Sequence, residues 1–335
     1  MPGGRLKFSS LKLNFLSSAI LVSALLVGCG EPKVDCNTPE GRAAIIDSVN
    51  TALSSSDCTT AIENIEAAYS SGCSNNEIRL ARASAYGCAA NINFFKLLGD
   101  LSTEGISSGG LWKTFAKLFP SSTQDSRAEA GWYASDALMA VLESGIVLAP
   151  TNKLSFDGNN IASTRTTDRT DVANLYLMLT SMATLGASQN RYSAPDLSTY
   201  SPTQVLGYTT AKPTGWASAA NMTLEGCAYA SSVLNLFDTM TEISGILPTS
   251  LSSSVSSVSG TYSAALDLVC EAGCAGTGVY AATGCALPAG TCTPCPTSLR
   301  HRSACALGGS VTDPANCAAA GIAIMINTDA TLGWQ

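Results

Sequence analysis

Histidine is almost missing from this chain, whose one copy is His301. A Ser-His-Asp nucleophilic set would have to draw His301 out of a run of cysteines, and no Gly-x-Ser-x-Gly elbow occurs to present a serine. Charge is also scarce, at 13% of residues, and it leans acidic, with 18 Lys+Arg against 25 Asp+Glu. Such a balance removes the electrostatic basis for binding nucleic acid or anionic headgroups. There is no phosphate-cradling glycine loop. Asp157-Gly158-Asn159-Asn160 lacks the acidic spacing and closing glutamate of a calcium loop. Acid pairs such as Asp136 with Glu143, and Glu225 with Asp238, fall on helical stretches and read as solvated. No catalytic residue, metal or cofactor is expected.

Cysteine, by contrast, is abundant at 13 copies. Cys36, Cys58, Cys73 and Cys88 lie near the front, Cys227 stands alone, and Cys270, Cys274, Cys285, Cys292, Cys295, Cys305 and Cys317 crowd the end. With Cys29 set aside the rest form an even set, which in an oxidising compartment predicts up to six disulfides, two in front and four behind. Cys292-Thr293-Pro294-Cys295, followed by His301 and Cys305, has the residue types of a zinc site or a redox dithiol. Its irregular spacing and disulfide-rich context favour structural bridges.

The first residues have their own character. Arg5, Lys7 and Lys12, with no acid among them, precede an apolar run from Phe15 to Val27, which is the composition of a secretory signal. The run is shorter than the ~20 apolar residues of a comfortable membrane span. Its end, Leu26-Val27-Gly28-Cys29, resembles the bacterial lipobox. That resemblance implies cleavage before Cys29, a diacylglycerol thioether on its sulfur and an acylated amino group. At ~0.8 kcal/mol per buried CH₂, such chains hold a soluble domain on a bilayer. Gly30, in place of an acid, implies by the same resemblance sorting to the outer membrane, facing the periplasm.

Helical signals fill most of the remainder. Thr38-Pro39-Glu40 reads as an N-cap, a first-turn proline and an acid favoured by the helix dipole, opening a helix to about Leu53. Asp57 or Thr59 opens a second, ending at Ser71-Gly72, and Asn75-Asn76 a third, with Ile78, Ala81, Ala85, Cys88 and Ile92 on one stripe. The second and third would form an antiparallel hairpin that brings Cys58 beside Cys88. From Ala61 to about Ala90 this hairpin resembles a tetratricopeptide unit in length and in its Ala/Tyr packing positions. It lacks the Trp-Leu-Gly-Tyr run and the closing proline of that family. The resemblance implies an irregular helical-hairpin stack, as in envelope lipoproteins that work beside solute transporters.

Further helices are expected over Leu111–Phe119, Thr123–Glu143, Val172–Leu185, Ala217–Ile246 and Ser250–Cys270, with a last one from Asn316 or Cys317 to Ile326. The stretch Gln189–Gly215 reads as an extended surface loop. The sequence therefore predicts an all-α protein: a signal over 1–28, a tether over 29–37, a helical domain over 38–270 and a cysteine-rich, loop-rich module over 271–335. Its expected role is a lipid-anchored, non-catalytic envelope scaffold that binds a protein partner. The alternative is a solute-binding accessory of a transport system, with a cavity lined by aromatics near 112–133 and 192–216.

Overall fold

The computed structural model describes residues 34–73, 75–93, 111–119, 126–142, 170–193, 195–196, 207–208, 218–243, 249–306 and 309–328. The lipobox-like stretch, the tether up to residue 33 and the Asp157 loop lie outside these.

Each of the first three helices starts where a short polar side chain satisfies an otherwise unpaired backbone N–H. Thr38 Oγ1 accepts from Gly41 N at 3.0 Å and opens α1, Pro39–Ser54. Asp57 accepts from Thr60 N at 3.0 Å and opens α2, Cys58–Ser70, while Asn75 accepts from Ile78 N at 3.0 Å and opens α3, Asn76–Ala89. Gly72, at φ +97°, takes the left-handed turn between α2 and α3 that a side chain would resist. Val49, Ala61, Ile65, Tyr69, Ile78 and Ala85 form the shared core of these helices. Pairing of Cys58 with Cys88, and of Glu66 with Arg82 and Tyr86, fixes α2 and α3 as antiparallel. Cys36–Cys73 ties the entering chain to the turn between them.

The chain then adds layers in near-sequential order. The helices are α4 Leu111–Leu118, α5 Arg127–Leu142, α6 Thr170–Ser193, α7 Leu224–Ile243, α8 Thr249–Ala275 and α9 Pro314–Thr328. α3 packs on α5, α5 on α6, α6 on both α4 and α7, and α7, α8 and α9 on one another. The fold is all-α; the extended pairing among the described residues is a two-residue antiparallel contact, β1 Pro195–Asp196 with β2 Gly207–Tyr208. The serine-rich α8 holds its place by a helical stripe of buried Val255, Val258, Tyr262, Leu266 and Val269, because serine contributes little helix propensity. α8 and α9 approach closely at Gly273 and Gly321, where a Cβ on Gly273 would stand 2.6 Å from the Gly321 Cα.

Two expectations need correction. The first residues of the expected Gln189–Gly215 loop are helix instead: α6 continues to Ser193, with Ser188, Gln189 and Asn190 buried, and most of the remaining stretch lies outside the described residues. The Asn190 amide donates to the carbonyls of Ala116 at 2.7 Å, Phe119 at 3.2 Å and Gly186 at 2.9 Å, closing the C-terminal end of α4. The 270/271 boundary falls inside α8, which runs to Ala275. Cys285, Cys292, Leu299, Cys305 and Cys317 belong to the same hydrophobic cluster as α6, α7 and α8, so the cysteine-rich segment covers the helical core. A segment with so few large apolar residues gains burial by packing against existing helices.

Candidate functional site

The residues from Pro294 to Cys305 form a strap across α7 and α8. Cys295 is bonded to Cys270 of α8, and Cys305 to Cys227 of α7. Two short 3₁₀ turns, Thr297–Arg300 and Arg302–Ala304, carry the strap between these fixed ends. α7 meets it with Ser231, Asn235 and Asp238, spaced so that a helix places them on one face. Ser231 Oγ donates to the Leu299 carbonyl, the Asn235 amide donates to the Arg300 carbonyl at 3.0 Å, and Asp238 accepts from Arg300 Nη2 at 2.8 Å.

Arg300 is half-buried and Arg302 is buried. Arg302 turns inward, 3% exposed, and its Nε donates to Asp136 Oδ2 of α5 at 3.2 Å. Its guanidinium lies 5.0 Å over the Trp132 ring and 4.7 Å over the Tyr133 ring. Tyr133 stands 4.9 Å from Tyr86, whose hydroxyl donates to Glu66 at 2.9 Å. Glu66 also accepts from Nε of the fully buried Arg82 at 2.7 Å, and Arg82 covers Tyr69 at 4.5 Å. Two arginines and the rings they cover thus run from α2 through α3 and α5 to the strap, meeting at the Tyr86–Tyr133 contact. Desolvated stacking of this kind contributes about 2 kcal/mol per pair. Burial, the hydrogen bond to Glu129 and the Glu129 charge push the Tyr133 phenol up to about 12. Burial followed by the Glu66 carboxylate raises Tyr86 further still.

Beside this array is a cavity of about 10 Å³ lined by Trp132, Asp136, Ser231, Asn235 and Arg302. Space of that order holds a single water. On the outer side of the strap is a larger cleft of about 210 Å³, walled by Phe237 and Asp238 of α7, Leu266 and Asp267 of α8, and Pro294 to Thr297 with Arg300. Asp267 Oδ1 accepts from Cys295 N at 2.9 Å, which positions its carboxylate at the cleft wall.

The remaining sequence candidates are distributed by these facts. Cys292 pairs with Cys274, Cys285 with Cys317, and Cys295 and Cys305 with α8 and α7, so the sulfurs near His301 belong to separate bridges. Among the described residues no group of three or more His, Cys, Asp and Glu side chains is placed to hold a metal ion. Asp136 is buried and ion-paired instead of solvated, because Arg302 reaches it from the far end of the chain. Phe115 and Phe119 of the short α4 segment enter the core, and Lys117 is exposed. Trp112, Tyr192, Tyr200, Tyr208, Trp216 and Glu143 have side chains outside the described residues. Sequence reading missed Arg300 and Arg302. The available signal was that no lysine follows Lys212, which leaves Arg300 and Arg302 as the arginines of the whole C-terminal stretch.

The class this defines is an all-α, disulfide-stapled protein with a strap-bounded cleft walled by Asp238, Asp267 and Arg300. The chain matches no known protein family, no curated protein and no solved structure.

Proposed function

We propose that this chain is a lipid-anchored protein of the bacterial cell envelope, held in the outer membrane and facing the periplasm, that acts without catalysis by binding another protein. The observation that carries the reading is that Arg302 occupies the faces of the interior aromatics. Trp132 and Tyr133, which a solute cavity would need for its lining, are stacked on Arg302, and the space beside them is about 10 Å³. A site for a drug-sized solute takes ~300–1,000 Å³.

Anchoring is supported by the lipobox-like Leu26-Val27-Gly28-Cys29 and by the cysteine pattern. Every described cysteine is in one of six bridges, and Cys29 is the cysteine left over. Bridges in this number fit an oxidising envelope compartment. The alternative, a solute-binding accessory of a transport system, would draw on Tyr192, Tyr200, Tyr208 and Trp216.

The test is to tag the chain at its C-terminus, crosslink it in intact envelopes, extract it mildly and identify what accompanies it by mass spectrometry. A stoichiometric protein partner supports the reading. Recovery alone, or with only a small molecule, rejects it in favour of the solute accessory. In the same preparation Cys29→Ala is expected to lose the acyl mass and leave the membrane fraction; an unchanged mass would reject the anchor.

A further inference from the structure

We infer that the strap cleft is the docking pocket for a basic side chain, lysine or arginine, presented by the partner protein; this rests on the protein-binding reading above. Charge is the first ground. Beyond Lys212 the chain has no lysine, and both of its arginines there are engaged, Arg302 with buried Asp136 and Arg300 with Asp238. The acids of the cleft wall are Asp238 on α7 and Asp267 on α8. Arg300 offsets Asp238, so the uncompensated charge in the cleft wall is Asp267, whose Oδ1 takes the Cys295 N–H and whose Oδ2 has no such bond.

Shape is the second ground. The cleft is about 210 Å³, below the range of drug-sized ligands yet suited to one long side chain. Its floor is apolar, with Phe237 stacked on Tyr262 at 4.7 Å and with Leu234, Leu266 and Pro294 beside it. Lysine and arginine are the side chains that lay an apolar stem along such a surface while keeping a charged head at a polar edge. The head would meet Asp267 at the rim. Charge complementarity of this kind governs encounter rate and partner choice more than raw affinity.

The purified full chain would be titrated with Nα-acetyl-lysine methylamide, Nα-acetyl-arginine methylamide and the neutral Nα-acetyl-norleucine methylamide, followed by NMR. We expect saturable binding of at least one cationic probe, weakened by salt, and none of the neutral one; comparing the two cations tells which side chain the pocket takes. Asp267→Asn keeps an acceptor for Cys295 N–H while removing the charge, and should weaken binding roughly tenfold or more. Thr297→Trp leaves every charge in place, fills the cleft and should abolish binding, with thermal melts showing that each variant is folded. Absence of saturable binding, equal binding of norleucine, or indifference to both variants would overturn the inference. Recovery of a protein partner by crosslinking without probe binding would sink this pocket and leave the protein-binding reading standing. Probe binding with no protein recovered would do the opposite.

Discussion

Removing the Arg302 guanidinium would leave the Asp136 carboxylate in the interior without its counter-charge. Loss of one partner from a buried pair costs about 3–5 kcal/mol, so Arg302→Met is expected to lower the melting temperature sharply. Adding Asp136→Leu should recover part of that loss, because no unpaired charge then stays buried; denaturant unfolding of both single variants and the double checks it. Two half-buried phenols give a pH signature. Tyr133 and Tyr176 are both raised to about 12, each chiefly by burial. A group whose folded value is raised favours the protonated native state. Its contribution is complete below the unfolded value of about 10 and is lost as pH rises through the folded value. Melts between those limits should therefore fall with rising pH, while phenolate absorbance appears together with unfolding. Phenolate formation in the intact fold near pH 10 by these tyrosines would contradict the account.

Among the elements, α4 and α6 are joined by a side chain that looks like a loop residue in the sequence. Asn190→Ala would strip the donor from the carbonyls of Ala116 and Phe119, and a buried group left unpaired costs roughly 1–3 kcal/mol. Chemical denaturation should register that loss, and a neutral result would show that Asn190 does not close α4. The same residue shows where sequence reading ends. Thr38, Asp57 and Asn75 announce helix starts because a cap bonds to an N–H within three residues, a local pattern. The Cys58–Cys88 bridge was legible for a related reason: a short hairpin brings its two ends together. Asn190 reaches 74 residues back, and Arg302 reaches 166 residues to Asp136, distances over which composition and periodicity carry no information. The strap was hidden because eight cysteines allow many pairings, and the pairing decides what Arg300 and Arg302 face.

At the scale of the whole molecule, the cysteine-rich end shares one core with α4 and α6 to α9, while α1 to α3 pack around a core of their own. Cys227–Cys305 closes a separation of 78 residues, and Cys285–Cys317 joins the segment after α8 to α9. Cross-links over loops of this length contribute about 2–4 kcal/mol each by restricting the unfolded chain. Residues 271–335 made alone are thus expected to lack a cooperative transition, while the oxidised full chain should melt in one step by calorimetry. Two separate transitions would mean that the cysteine-rich end folds independently.

The claim at the centre of this account is that the molecule works by engaging a protein at the strap. A photo-crosslinking amino acid at Thr297, in the cleft wall, and in a parallel strain at Glu63, exposed on α2, would be activated in intact envelopes. The account predicts a discrete protein adduct from position 297 and none from position 63. No adduct from 297, or the same adducts from both positions, would contradict it.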